Sequence, residues 1–469
     1  MPNLMKMRAA AAAVALMGAL SACGNSESIS ARAAASPPAR AVAGPEPAAD
    51  AACSTVLASN ADLVNVAFPD ESAKYWFIQL PYLPGTRFRV EGRYPNARYF
   101  SFNSYDAQLR QVDSLADFQL DPAENSVNPF RSPSQTPGDR WGGDYVMYLV
   151  PSEVPEPRPA NHMYSGSTTL PAAGAQPNPQ LSLLYRIYIA SDGDTGEVGL
   201  PRIVMETAAG DQAIVGLAPC SLMPDLPLSL GLNERIADAD FPADWPDALP
   251  PASTRFKPVY RKFYSLPDTL TRNTPLHDIL PPDTSGGFLG NRDNAYVGVR
   301  YFRDQGDTYI VRAKAPTWAG DPRVKGAAPQ LRYWSFCTNE FATQRFVACA
   351  RDDQTALDGE GYFTYVVSDP ADRPVNAVAE NAITWLPWGG AYPDSSAIYR
   401  HMLPAPTFAE SIQAVPFGTE EPEVMKAFYP VTVYCDRDVI EAAGHSARAI
   451  FDACVAAYVA PVPITGVLP

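Results

Sequence analysis

Histidine is scarce in this chain, with 4 in 469 residues, and His162, His277, His401 and His445 lie far apart. None stands in an H-x-x-x-H or H-E-x-x-H arrangement, so no histidine-built zinc site and no metal is expected. Basic residues are also few: 36 Lys and Arg stand against 51 Asp and Glu, for a formal net charge of -15. That deficit argues against a nucleic-acid partner, which needs a cationic footprint, and against adhesion to anionic lipid headgroups. Long apolar runs are missing too. The one near the N-terminus is too short to span a bilayer comfortably.

That short run is informative because of its flanks. Lys6 and Arg8 precede an Ala/Val/Leu stretch that ends in Leu20-Ser21-Ala22-Cys23, the order of an export signal cut before a cysteine. Residues 1–22 therefore read as a lipoprotein signal peptide and Cys23 as the acylated residue. The expected location is outside the cytoplasm, lipid-anchored to the bacterial envelope at the outer membrane or the cell surface. Residues 23–52 are Ala, Pro, Ser and Gly with scattered charge, too poor in large apolar side chains to fold, and read as a tether.

Committing Cys23 to lipid leaves an even set of the 7 cysteines, and an oxidising compartment makes disulfides the default. Cys337 and Cys349 flank a turn between two strand-like runs, where a hairpin brings them to bridging distance. Cys435 and Cys454 would stand roughly 28 Å apart on one unbroken helix, so their pairing requires a break at Gly444. Cys53 with Cys220 follows by elimination.

Proline (48), tyrosine (23) and phenylalanine (20) are abundant, the composition of many short strands joined by ordered loops. From Cys53 onward the chain repeats itself. Arg98-Tyr99-Phe100-Ser101-Phe102 returns as Arg332-Tyr333-Trp334-Ser335-Phe336, and Tyr75, Gly85 and Val90 return at constant spacing as Tyr296, Gly306 and Val311. Downstream, Asp144 to Tyr148 parallels Gly361 to Tyr365, Tyr185-Arg186 parallels Tyr399-Arg400, and Cys220 parallels Cys435. Within each copy bulky and polar residues alternate, as in Thr86-Arg87-Phe88-Arg89-Val90-Glu91. The expected fold is mainly β: two tandem homologous β-sandwich, jelly-roll-like domains at residues 53–225 and 285–469. A Pro-rich connector at 226–284 joins them, with one short helix expected at Leu232 to Ala239. Val439, Ala443, Ala447, Ile450, Cys454 and Tyr458 recur at helical spacing, so the chain is expected to end in helix.

Tyr99-Phe100-Ser101-Phe102-Asn103-Ser104-Tyr105-Asp106, together with Asn381-Ala382-Ile383-Thr384-Trp385-Leu386-Pro387-Trp388, resembles a bacterial group of exported proteins with β-sandwich domains of unknown function. The resemblance covers part of each copy. It departs where Asn381 is separated from Trp385 and where Asn339-Glu340 replaces Tyr-Asp in the second copy. It implies the fold and the exported location, and transfers no catalytic residue.

Candidate chemistry is thin. Gly444-His445-Ser446 resembles part of a nucleophile elbow, but Arg448 replaces the second glycine and Ser446 reads better as a helix N-cap. Asp192-Gly193-Asp194-Thr195-Gly196-Glu197 offers hard oxygens to Ca²⁺, yet reads better as a solvated acidic turn. Asp113 with Asp117, or Asp352 with Asp353, are candidate acid/base pairs whose separation nothing in the sequence sets. The aromatic stock is the larger resource, and Trp385, Trp388 and Tyr392 beside Gly389-Gly390 are the candidate ligand-binding residues. The leading expectation is a membrane-anchored lipoprotein, without cofactor, that binds a small hydrophobic or glycan ligand in a groove between the copies or beside Trp385. The alternatives are an extracellular hydrolase of a lipid or polymer, and a structural component of an envelope complex.

Overall fold

The computed structural model describes residues 56–59, 65, 68–81, 85–105, 111–131, 143–166, 180–210, 212–215, 260–262, 290–325, 328–341, 344–390, 392–416 and 418–459. The signal, Cys23, the tether, Cys53, Cys220, His277 and the expected helix at 232–239 lie outside these residues.

The alternating runs form strands. The first half carries β1 (Val56–Ser59), β2 (Ala73–Pro81), β3 (Thr86–Arg93), β4 (Ala97–Tyr105), β5 (Gln111–Ala116), β6 (Asp144–Val150), β7 (His162–Tyr164), β8 (Gln180–Ala190), β9 (Arg202–Thr207) and β10 (Gln212–Val215). The second half carries β11 (Arg261–Lys262), β12 (Asn294–Phe302), β13 (Thr308–Lys314), β14 (Leu331–Asn339), β15 (Phe346–Arg351), β16 (Tyr362–Ser368), β17 (Thr384–Pro387), β18 (Asp394–Pro404) and β19 (Val431–Cys435). Three helices follow or flank the last strand: α1 (Glu421–Met425), α2 (Arg437–Ala442) and α3 (Ala447–Val459).

Sheet order repeats between the halves. In the first, β1-β2-β8-β4-β5 faces β10-β9-β3-β6-β7; in the second, β11-β12-β18-β14-β15 faces β17-β16-β13-β19. Each half is a two-sheet sandwich around its own core. Phe88, Val90 and Met147 of one sheet pack with Phe100, Phe102 and Tyr185 of the other in the first half. Tyr309, Val311 and Tyr365 pack with Trp334, Phe336 and Tyr399 in the second. The same hairpin irregularity recurs, with a bulge between Ser104 and Tyr105 in one half and between Thr338 and Asn339 in the other.

Strand register refines the repeat. Trp76 opposes Tyr185 as Val297 opposes Tyr399, so Tyr185-Arg186 and Tyr399-Arg400 are equivalent as expected. Gly92 opposes Tyr145 as Ala313 opposes Phe363, which shifts the expected match on β6 and β16 by one residue. Arg87 opposes Glu206 as Thr308 opposes Cys435, so Glu206, rather than Cys220, is the counterpart of Cys435. A repeated aromatic or cysteine satisfies the eye at either register, whereas ladder hydrogen bonds admit only one.

Burial along each strand reports its layer. On β3 and β6 buried and partly exposed residues alternate, because one face meets water. On β4, β14 and β18 nearly every residue is buried, because these sheets are covered by their own sandwich on one face and by the other half on the opposite one. β13 is buried on both faces as well, since α2 and α3 cover it: Ile310, Val366 and Val433 pack with Ile440, Ile450 and Cys454. The break between α2 and α3 is at Gly444, whose φ of +89 suits glycine and returns α3 to β19. Ser446 caps α3, its Oγ accepting the Ala449 N–H, as expected from sequence.

Phe102 stacks on Tyr185 at 4.7 Å and its repeat counterpart Phe336 stacks on Tyr365 at 4.5 Å, each fully buried. Phe102→Ala and Phe336→Ala are each expected to lower the unfolding free energy by about 3–5 kcal/mol, measured by denaturant titration.

Candidate functional site

Among the described residues two disulfides are formed: Cys337–Cys349 across β14 and β15, with Cα atoms 4.0 Å apart, and Cys435–Cys454 from β19 to α3, at 5.4 Å. They assign the chain to an oxidising compartment outside the cytoplasm. Among the described residues no helix is long and apolar enough to cross a membrane.

The candidate ligand-binding aromatics are mostly interior. Trp388 is 2% exposed, 4.8 Å from the Tyr301 ring and beneath the Arg303 guanidinium, and Tyr392 is fully buried. Trp385 is half-buried. Its Nε1–H donates to Ser368 Oγ at 2.9 Å, Arg373 lies 4.7 Å over its ring, and the α2–α3 layer packs against it. Trp388 and Tyr392 thus lie in the interior beside the Gly389-Gly390 pair. The pair is present for close approach: Gly390 has φ +76, and a Cβ there would run into the buried Glu340 carboxylate.

The other candidates take bland roles. Asp192 is exposed and Asp194 pairs with Lys74 at 3.5 Å on the surface turn. His401 is buried, its Nδ1 accepting the Ile412 N–H, and burial pulls its pKa down to about 3, so it stays neutral. Asp70 has the Cys337 and Cys349 sulfurs within 4.8 Å, but the sulfurs are bonded to each other and are not free metal ligands.

The candidate acid/base carboxylates reveal the main feature that sequence reasoning missed. Asp117, after β5, accepts from Arg332 of the second half at 3.1 Å, and Asp352, after β15, accepts from Arg98 of the first half. Arg98 and Arg332 are repeat counterparts, and so are the backbone donors Phe100 N–H to Asp117 and Trp334 N–H to Asp352. Tyr99 donates to Asp293 at 2.5 Å and its counterpart Tyr333 donates to Asp70 at 2.9 Å, each again crossing between halves. Arg186 reaches the Gly290 carbonyl and its counterpart Arg400 reaches the Phe68 carbonyl. Each of these four contacts has a reciprocal twin, which is the geometry of an isologous dimer interface built within one polypeptide.

This seam is packed with buried charge. Arg98, Arg186, Arg400, Asp70, Asp117 and Asp352 are all buried, interleaved with Tyr99, Tyr188, Tyr333 and Met402. Burial pushes the Asp117 and Asp352 carboxyls up to about 6, against the pull of their arginines and backbone donors. The sequence signal was available in part: Arg98 and Arg332 stand in the repeat, while the aspartates fall at unequal distances after it and hide as ordinary acidic residues.

A different arrangement occupies the outer face of β9-β3-β6-β7. Arg202 pairs with Glu91 at 2.9 Å, and Arg89 and Arg87 both pair with Glu206. Arg87 also lies 4.4 Å over the Tyr148 ring, and Tyr148 stacks on His162 at 5.0 Å. Arg87 and Arg202 are exposed, whereas the counterpart face in the second half lies beneath α2 and α3.

No protein-family model and no curated protein matches this chain. Among solved structures, an uncharacterized protein from Burkholderia cenocepacia is similar at 15% identity and a TM-score of 0.42, covering 78% of this chain and 77% of its own. A protein from Vibrio parahaemolyticus follows at 13% identity and a TM-score of 0.35, covering 79% and 91%. At those scores the likeness carries no conclusion about fold or activity.

The seam is testable by charge removal. Arg332→Met is expected to lower stability by about 3–5 kcal/mol at pH 8, because it strands the buried Asp117 carboxylate, and Arg332→Met/Asp117→Asn to recover most of it. Both carboxyls have folded-state values above their ordinary range, so their contribution to stability is fully present below about pH 4. It is lost as pH rises through about 6. Denaturant titrations from pH 4 to 8 should therefore show wild type losing stability relative to Asp117→Asn/Asp352→Asn over that window.

Proposed function

We propose that this chain is an exported lipoprotein, held at the envelope by acyl chains on Cys23, whose body binds an envelope glycan without turning it over. The anchor reading rests on Leu20-Ser21-Ala22-Cys23 behind a short basic and apolar leader. A net charge of -15 supports it, since charge alone would repel the protein from an anionic surface.

The observation that carries the binding reading is the ladder Arg202, Glu91, Arg89, Glu206, Arg87, Tyr148 and His162 on one sheet face, exposed at Arg87 and Arg202 and partly buried elsewhere. Guanidinium forks and carboxylates suit the vicinal hydroxyls of a sugar, and ring edges suit its C–H surface. Burial of Trp388 and Tyr392 weighs against a hydrophobic cleft at that place. Hydrolysis is disfavoured because the carboxylates it would draw on are engaged. Asp113 pairs with Arg158, Asp117 with Arg332, Asp352 with Arg98, and Asp353 with Arg351.

Two measurements test this. Cys23→Ala should move the protein from the membrane to the soluble fraction of its host and abolish acylation. Detergent-extracted wild type should bind an envelope polysaccharide, with Arg87→Ala and Tyr148→Ala each weakening affinity about tenfold. Failure to bind any envelope polysaccharide refutes the glycan reading and leaves the anchor reading standing.

A further inference from the structure

We infer that Cys337–Cys349 is a site of thiol–disulfide exchange, opened by an external dithiol that attacks Cys349 and displaces Cys337 as a thiolate held by Arg400. The two sulfurs differ in access and in charge. Cys337 is fully buried, whereas Cys349 is partly exposed on β15, the edge strand of its sheet. Arg400 brings a guanidinium N–H to 2.8 Å from Cys337 Sγ. A cation beside the departing sulfur stabilises the thiolate and makes Cys337 the better leaving group.

The Asp70 carboxylate lies within 4.8 Å of both sulfurs and opposes a thiolate there, but its charge is shared with other partners. Asp70 accepts from Tyr333, Ser335 and the Ser72 N–H and lies 3.7 Å from Arg400, and Glu71 accepts the Cys349 N–H at 3.3 Å. The guanidinium N–H donates directly to the leaving sulfur.

The other half of the molecule serves as an internal control. Cys337 faces Cys349 across β14 and β15 at the register where Asn103 faces Ser114 across β4 and β5. Both hairpins have the same neighbours in their sheets and the same bulge one step further on. The first half builds the hairpin without a covalent bond, so the pairing does not need one. By contrast, Cys435 and Cys454 are both fully buried, and their bond ties α3 to β19.

The exchange balances as follows. The reductant's thiolate forms a bond to Cys349 Sγ while the Cys337–Cys349 bond breaks, leaving the electron pair on Cys337. The reductant's second thiol, after losing its proton to water, attacks its own first sulfur and releases Cys349, which takes a proton from solvent. The reductant departs as a disulfide, oxidised by two electrons, and the chain retains two reduced cysteines.

The consequence lies at the seam. Gln344, Phe346 and Cys349 hold the first half's segment at 65–71 through Phe68 N–H, both groups of the Asn65 amide and the Glu71 carboxylate. Opening the bond frees the edge strand that makes this grip.

The test uses full-length native protein and dithiothreitol, with thiols trapped by alkylation and located by mass spectrometry. Cys337–Cys349 should open about tenfold faster than Cys435–Cys454, and brief exposure to glutathione should leave its adduct on Cys349. Arg400→Met should slow opening about fivefold or more. If that variant misfolds, the position of the glutathione adduct in wild type decides the matter alone. Hydrogen exchange at 344–349 should rise on reduction. Equal opening rates for the two bonds, an adduct on Cys337, or opening only after denaturation would overturn the inference.

Discussion

The structure depends on an exchange of charge between two copies of one folding unit. Arg98 of the first sandwich pairs with Asp352 of the second, and Arg332 of the second pairs with Asp117 of the first. A lone buried charge carries a large desolvation penalty, so each arginine obliges the opposite half to be present. The backbone N–H groups of Phe100 and Trp334 supply further bonds to the same carboxylates, which ties the seam to the start of β4 and β14. From this constraint follow the burial of both inner sheets and the packing of Tyr99, Tyr188 and Tyr333 against one another.

Reciprocity also explains where the halves differ. Residues facing the seam recur: Tyr75 and Tyr296, Arg186 and Arg400, Ser101 and Ser335 occupy equivalent places on the two inner sheets. Outer faces were free to diverge. One carries the Arg202 to His162 ladder, and the other is roofed by α2 and α3, fastened through Cys435–Cys454. An interface must remain complementary to itself, whereas a face toward solvent answers only to its own ligand or cover.

Much of this was legible from residue order. Alternation along Thr86 to Glu91, the return of Arg98 to Phe102 as Arg332 to Phe336, and the need for a break at Gly444 each express a local rule of strand or helix geometry. The candidate site was less legible. Trp388 and Tyr392 look costly to bury when read as neighbours of two glycines, yet Trp388 lies in the sandwich core against Tyr301 and Tyr392 is fully buried. Asp113, Asp117, Asp352 and Asp353 look like acid/base pairs because they are close in sequence, but each is engaged by an arginine, distant in the chain for Asp113, Asp117 and Asp352 and local for Asp353.

Sequence by itself determined the periodic facts: short strands, a duplicated unit, terminal helices, and cysteines placed to bridge a hairpin and a helix–strand corner. These arise from interactions between residues a few positions apart, whose geometry the backbone repeats everywhere. Only the tertiary structure decided which faces meet. The partner of Arg98 lies more than half the chain away, the register of β9 and β19 is set by ladder bonds to β3 and β13, and both copies had to be folded before either carboxylate found its cation. Long-range burial of charge leaves no period in the sequence, because its condition is complementarity between surfaces that do not exist until the strands are paired.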